Sequence, residues 1–174
     1  MKDDKLSILN FLTEINLKFE LCKIDIETFL PGLLLKNGIL QIDIDKIIYP
    51  GDILHEAGHI AVCEPIYREY LDGDVYRNGL LIGREHQALC GEEIAATAWS
   101  VAVVKYLKLP LELIFHQESY KGSAKNLSDA FEGNQYFGQP LLDAWEMTCP
   151  ETGFPQMVSW LRETRWVHKL PNKI

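Results

Sequence analysis

Two histidines four residues apart constrain the fold of this chain more than any other sequence feature. They lie in the segment LHEAGHIAV, residues 54–62, where a glutamate directly follows the first histidine. Residues i and i+4 of a helix share one face, with Cβ atoms about 5–6 Å apart, so a helix lets His55 and His59 direct imidazole nitrogens at one point. Apolar neighbours, including Ile53 and Ile60, favour a helix that packs against the protein core.

A helix with the pattern H-E-x-x-H can hold a metal ion. Zinc takes nitrogen ligands at about 2.0–2.1 Å, and histidines at this spacing supply two corners of a tetrahedral site without strain. Glu56 lies too close to be a third ligand easily, but it is well placed to hold a water molecule and accept its proton. The alternative is a histidine pair with a purely structural role, and the strand, turn and helix predicted around the motif favour the metal site.

The elements before the motif are predicted from apolar spacing and turn residues. Residues 4–15 show helical periodicity, and residues 16–24 alternate between apolar and polar side chains as a strand does. A hairpin follows, because Asn37 and Gly38 supply the two positive φ angles of a type I′ turn between apolar runs. The second arm of this hairpin is predicted over 39–45.

The helix that carries the motif is predicted to begin near Ile53, with Asp52 as its N-cap, and to end at Glu64 because a proline follows. The rest of the chain is predicted to be mostly helical, with helices over 86–107 (or from 92), 111–119 and 154–167 and a loop-rich segment over 119–140. The order of helix, strands and further helices predicts an α+β fold in a single domain, residues 1–174.

Composition limits the classes of function. The net charge of −8 and the pI of about 5.1 argue against a general binder of nucleic acid or of a membrane surface, since both are polyanions. The start of the chain shows no signal-peptide pattern, and no uncharged run is long enough to span a bilayer. The four cysteines form no CxxC pair, which is typical of reduced thiols in a cytoplasmic protein.

The motif and its surroundings resemble the HExxH zinc metallopeptidases, the zincins. The segment LHEAGH after the predicted strand ILQIDID carries the first part of this resemblance. The segment GEEIAATAWS, residues 91–100, is similar to the second helix of the gluzincin subtype, whose glutamate is the third zinc ligand. The metzincin subtype is excluded, because Val62 and Pro65 stand where its motif continues with glycine and histidine.

The resemblance implies a zincin-like fold, with a small antiparallel or mixed sheet whose edge strand lies beside the HExxH helix and binds an extended peptide. A glutamate-bearing helix and further helices follow. It also implies that His55, His59 and Glu93 hold Zn²⁺ and that Glu56 is the general base. The expected activity is zinc-dependent hydrolysis of a peptide bond.

The third ligand has alternatives. Counting from Glu93, Thr97 falls where the family places a polar residue, whereas counting from Glu92 this place is taken by an alanine, so Glu93 is favoured. Many gluzincins carry Asp or Asn where this chain has Thr97, which leaves the orientation of the ligand less defined. His86 and Cys90 are further alternatives, each with a simpler interpretation as a surface histidine or a buried thiol.

A donor for the developing oxyanion is also expected in such a site. His116 and Tyr120 are candidates because they are predicted to share one helix at i and i+4, and Tyr136 is a third, in the segment GNQYFG. Packing or surface roles are the alternative for all three. The expected partner is a peptide or protein substrate, with no nucleic acid and no membrane. A regulatory or peptide-binding module with little turnover is the alternative function, and a non-peptide amidase is a weaker one.

Overall fold

The computed structural model describes residues 2–73, 86–133, 135 and 137–164. Its fold is α+β, as predicted. The helices are α1 (Lys2–Glu14), α2 (Pro50–Val62), α3 (His86–Tyr106), α4 (Ala124–Glu132) and α5 (Gln139–Ala144), and the strands are β1 (Phe19–Leu21), β2 (Leu33–Lys36) and β3 (Ile39–Ile42). Short 3-10 helices lie at Pro65–Tyr70, Leu111–Leu113 and Ser119–Gly122. Among the helices of the described residues, none is long and apolar enough to cross a membrane.

The three strands form a small mixed sheet in the order β1-β3-β2. β2 and β3 make the predicted antiparallel hairpin, and Asn37 (φ 50°) and Gly38 (φ 71°) both have the positive φ that a type I′ turn requires. β1 pairs in parallel with the other side of β3. β3 is therefore the central strand, whereas the resemblance implied an edge strand over 39–45, and it is β2 that lies at an edge of the sheet.

Helices α2 and α3 form the centre of the core and approach each other closely. At their crossing, a Cβ atom added to Gly58 would lie only 3.0 Å from the carbonyl oxygen of Ala96. The Ser100 hydroxyl donates a hydrogen bond of 3.1 Å to the carbonyl oxygen of Leu54, which joins the two helices. Small residues at this contact thus bring the histidine-bearing helix against the glutamate-bearing helix.

The start of α2 differs from its prediction. The helix begins at Pro50, Tyr49 occupies the N-cap position without a side-chain cap, and Asp52 lies inside the first turn. Proline is favoured at the first helical position because its φ is already helical and its missing N–H would have no partner there. The predicted capping role of Asp52 is therefore wrong, and its carboxylate faces His116 instead, with Oδ1 3.0 Å from Nε2.

Three later predictions also fail in whole or in part. The segment 111–119 is not one helix, because only Leu111–Leu113 and the start of Ser119–Gly122 are helical, both as 3-10 turns. The segment 119–140, predicted to be rich in loops, has a loop between its helices but also contains α4 and the start of α5. In α4, Ala124 and Phe131 are buried at helical spacing, and this apolar face outweighs the Gly, Ser and Asn content of the region.

The predicted helix over 154–167 is absent from its described part, 154–164, which consists of turns, bends, irregular backbone and one bridge between Met157 and Thr148. Long-range contacts hold this segment in place. The Trp99 indole N–H donates to the carbonyl oxygen of Trp160 at 2.9 Å, and the Arg162 N–H donates to the carbonyl oxygen of Ala61 at 2.9 Å. The segment therefore runs across α2 and α3 and covers part of the core. Residues 165–167 lie outside the described residues.

Candidate metal centre

Three potential ligand atoms meet where α2 faces α3. One atom each from His55, His59 and Glu93 lies within 4.8 Å of the other two. The Nε2 atom of His55 is 3.6 Å from Glu93 Oε1, and the Nε2 atom of His59 is 3.3 Å from Glu93 Oε2. Ligands of a tetrahedral zinc ion lie about 3.3 Å apart, because each is about 2.0–2.1 Å from the ion. The His59 separation equals this spacing and the His55 separation is 0.3 Å longer, each to a different oxygen of Glu93.

The carboxylate of Glu93 provides a second test of whether these residues suit a metal ion. Its Oε2 atom is buried and has no hydrogen-bond partner among the described residues. A buried carboxylate oxygen without a donor is costly, because it has lost its contacts with water. A cation between Glu93 and the two imidazoles would offset this cost. The donor set of two histidine nitrogens and one carboxylate is also one that zinc accepts.

Glu92 is not part of this cluster and has other partners. Its Oε1 atom lies 3.5 Å from Arg162 Nη1 and accepts a hydrogen bond of 3.4 Å from the backbone N–H of Glu64. Successive residues of a helix are about 100° apart around its axis, so neighbouring glutamates face different sides. The packing of α3 thus directs Glu93 to the histidines and Glu92 to the C-terminal segment.

The other candidates differ in what the structure describes of them. His86 begins α3, but its side chain lies outside the described part of the structure. Cys90 is exposed and does not belong to the group formed by His55, His59 and Glu93. Tyr136, one candidate oxyanion donor, lies outside the described residues.

Tyr120 lies against the outer nitrogen of His55. Its hydroxyl oxygen is 3.5 Å from His55 Nδ1, and the hydroxyl donates a hydrogen bond of 3.3 Å to the Thr97 hydroxyl. Burial raises the pKa of Tyr120 above its ordinary value, so the phenol stays protonated at neutral pH. Its backbone adopts a φ of 50°, which is uncommon for a residue other than glycine. The surrounding structure therefore holds Tyr120 in a specific position beside the histidine.

His116 is held at the first turn of α2 rather than beside Tyr120 on a shared helix. Its Nε2 atom is 3.0 Å from Asp52 Oδ1, and its ring stacks on Tyr49 with 3.7 Å between centroids. Its Nδ1 atom is buried and has no hydrogen-bond partner in the described part of the chain. Burial raises the pKa of the Asp52 carboxyl group, and the hydrogen bond from His116 opposes that shift. These contacts fasten the segment before Tyr120 to the start of α2.

The cluster lies in a cleft of about 870 Å³. Glu56 lines this cleft together with His55, His59 and Glu93, and its side chain is half-buried. One part of its wall is formed by residues 26–30 and β2, and another part by residues between 114 and 127. A molecule in the cleft would contact both the proposed ligands and the proposed base.

Sequence reasoning missed two groups of residues at this site. The contacts of Tyr49 and Asp52 with His116 were not predicted, although Asp52 lies three residues before His55 and thus on the same helix face. The wall over 26–30 carried no motif that could have identified it. No protein-family model, no curated protein and no solved structure matches the chain.

Proposed function

We propose that this chain is a zinc-dependent hydrolase that cleaves a peptide bond, with His55, His59 and Glu93 as metal ligands. The observation that carries the proposal is the meeting of these three ligand groups, within 4.8 Å of one another, in a cleft that Glu56 also lines. The resemblance of both helices to those of gluzincins supports the same assignment. The proposal includes the cytoplasm as the compartment and a peptide or protein as the substrate.

Each residue of the site would have a separate role in the reaction. A bound zinc ion would act as a Lewis acid that lowers the pKa of water and polarises the substrate carbonyl. Glu56 accepts the proton of the attacking water and passes it to the leaving amine. Glu93 supplies a negative charge next to the two imidazoles, and the walls of the cleft keep the substrate next to Glu56.

Tyr120 has a positioning role in this proposal. When His55 uses Nε2 as its ligand atom, its Nδ1 carries a proton and can donate to the Tyr120 hydroxyl, which itself donates to Thr97. A hydrogen bond to the far nitrogen fixes the tautomer and the ring orientation of a histidine ligand. Tyr120 thus supports His55, although the sequence suggested it as an oxyanion donor.

Replacing Tyr120 with phenylalanine is expected to weaken zinc affinity about 10- to 100-fold, because His55 loses the partner that orients its ring. Competition for zinc with a chelator of known affinity would measure this change. Tyr106→Phe is the matched control, because its hydroxyl bonds only to the exposed Glu14 side chain in the described residues. Equal zinc affinity of Tyr120→Phe and the wild type would remove Tyr120 from the site.

Metal content tests the proposal as a whole. The purified wild-type protein, supplied with zinc and then dialysed, is expected to hold about one zinc per chain, because one three-ligand site is present. His59→Ala is expected to lose most of that zinc. His116→Gln changes a histidine of the same cleft that is not in the cluster, and it is expected to keep the metal. Elemental analysis by mass spectrometry gives all three values.

A wild-type protein that holds no zinc under these conditions would refute the proposal. Full zinc content in His59→Ala would show that the metal binds elsewhere. If His116→Gln loses zinc as His59→Ala does, the loss does not report on the cluster, and the ligand assignment fails.

One observation favours a peptide-binding module with little turnover as the second candidate function. The Tyr120 hydroxyl donates to Thr97, and His116 faces Asp52, so both described candidates for the oxyanion donor are engaged elsewhere. Hydrolysis and binding therefore need separate assays.

A further inference from the structure

One wall of the cleft is apolar and exposed. Ile26, Phe29, Leu30 and Leu34 line it, and Leu127 lines another part of the cleft. The side chain of Phe29 is 96% exposed and that of Ile26 is 61% exposed. Large apolar side chains that are exposed together beside a polar site mark a surface that another molecule covers. The position of Phe29 is therefore suited to contact with a bound molecule.

The charged residues of the cleft are acidic. Besides Glu93 of the cluster, the lining includes Glu27, Asp52, Glu56 and Glu118, and no lysine or arginine lines the cleft in the part of the chain that the structure describes. Glu27 and Glu118 are exposed, and both line the cleft. A cleft lined by charges of one sign attracts the opposite charge and repels its own. A bound zinc ion would offset part of this negative charge at Glu93, and Glu27, Asp52, Glu56 and Glu118 would still give the cleft an excess of acidic groups that disfavours acidic ligands.

The size of the cleft limits what it can enclose. Its volume of about 870 Å³ lies within the range of about 300–1,000 Å³ that is typical of small-ligand sites. A short peptide segment fits such a space, whereas a folded domain does not.

We propose that the cleft recognises a peptide segment with a large apolar side chain and adjacent basic residues. The apolar side chain packs on Phe29 and Ile26, and the basic residues approach Glu27 and Glu118 at the rim. This inference names the substrate class of the proposed hydrolase and rests on that function for the reaction. The recognition itself requires no turnover.

Peptide binding to Glu56→Gln, loaded with zinc, tests the inference without hydrolysis. Three fluorescein-labelled heptapeptides share one framework and differ at three positions: Phe flanked by two lysines, Phe flanked by two glutamates, and Ser flanked by two lysines. We expect the Phe-Lys peptide to bind at least about tenfold more tightly than either of the others, by fluorescence anisotropy. Its affinity is expected to fall as salt rises, since its charge contacts are exposed.

Substitutions of residues that line the cleft test which side chains cause the preference for the Phe-Lys peptide. Phe29→Ala is expected to weaken binding of the Phe-Lys peptide about tenfold and to leave the Ser-Lys peptide unchanged, because only the former loses an apolar contact. Glu27→Gln combined with Glu118→Gln is expected to reduce the difference between the Phe-Lys and Phe-Glu peptides. Val158→Ala is the control, because Val158 is 61% exposed and does not line the cleft.

The results of these experiments distinguish a failure of this inference from a failure of the proposed function. Equal affinity for the three peptides, or an unchanged affinity in Phe29→Ala, would overturn the inference. If the predicted preference is found but wild-type protein cleaves none of the peptides, the recognition is supported and the hydrolase proposal fails. If wild type cleaves all three at equal rates and Glu56→Gln binds them equally, the inference fails and the hydrolase proposal stands.

Discussion

Glu56→Gln is expected to retain zinc and to lose peptide hydrolysis by about 10²- to 10⁴-fold, the usual contribution of a general base. Glutamine keeps the size of the side chain but has no carboxylate that can accept a proton. Since Glu56 is not one of the three clustered ligand groups, its replacement should leave metal content unchanged. Hydrolysis rates of a fluorogenic peptide, measured beside metal content, test both parts.

A second glutamate provides the control for this prediction. Glu112 is exposed and does not line the cleft, so Glu112→Gln is expected to hydrolyse the peptide at the wild-type rate. If Glu56→Gln keeps the wild-type rate, another group is the base. If it loses the zinc, Glu56 serves as a ligand. A wild-type protein that binds peptide and zinc without hydrolysis would favour the binding module.

Local sequence signals predicted the elements that form the site. The four-residue spacing of His55 and His59 requires a helix for the two side chains to meet, and the structure contains that helix. The Asn37-Gly38 pair predicted a hairpin because few residues accept positive φ, and the observed φ angles agree. These signals depend on neighbours within a few residues, so one sequence is enough to interpret them.

Features that depend on tertiary packing were harder to predict from the sequence. Glu92 and Glu93 are adjacent, so only the contact between α2 and α3 decides which of them faces the histidines. Strand order is another such choice, because alternation along β3 does not say whether it lies at the edge or in the centre. The contact between Tyr120 and His55 joins residues 65 positions apart, and no local pattern encodes it.

The C-terminal segment shows how tertiary contacts override a prediction made from local sequence. Residues 154–164 were predicted to be helical, yet their backbone and side chains are held by distant partners, as in the bond from the Trp99 indole to Trp160. The Trp160 ring also packs edge-on against Phe11 of α1, with 4.9 Å between centroids. Such contacts outweigh helix propensity, which is worth well under about 1 kcal/mol for most residues.

Arg162 in this segment forms a buried ion pair with Glu92 of α3. Its side chain is fully buried and lies 3.5 Å from Glu92, and it also donates to the Val62 carbonyl oxygen at 3.3 Å at the end of α2. Its guanidinium group lies 4.1 Å from the centre of the Trp145 ring. The pair therefore connects the end of α2, α3 and the C-terminal segment.

Arg162→Met is expected to lower the free energy of unfolding by about 3–5 kcal/mol, because Glu92 would remain buried without its cation. In a domain of this size, that loss corresponds to a fall in Tm of roughly 6–20 °C. Chemical denaturation of zinc-free protein measures it, since bound metal would add its own stabilisation.

The double variant Glu92→Gln/Arg162→Met separates the charge from the packing. Removing both charges leaves no uncompensated ion, so the double variant is expected to be more stable than Arg162→Met alone. The two single variants and the double variant form a thermodynamic cycle whose coupling energy should be at least about 1 kcal/mol. Additive losses would show that Arg162 stabilises the segment through its packing on Trp145 and its bonds to backbone carbonyl groups. Loss of zinc affinity in the refolded Arg162→Met variant would further indicate that the pair holds α3 in the position that directs Glu93 to the histidines.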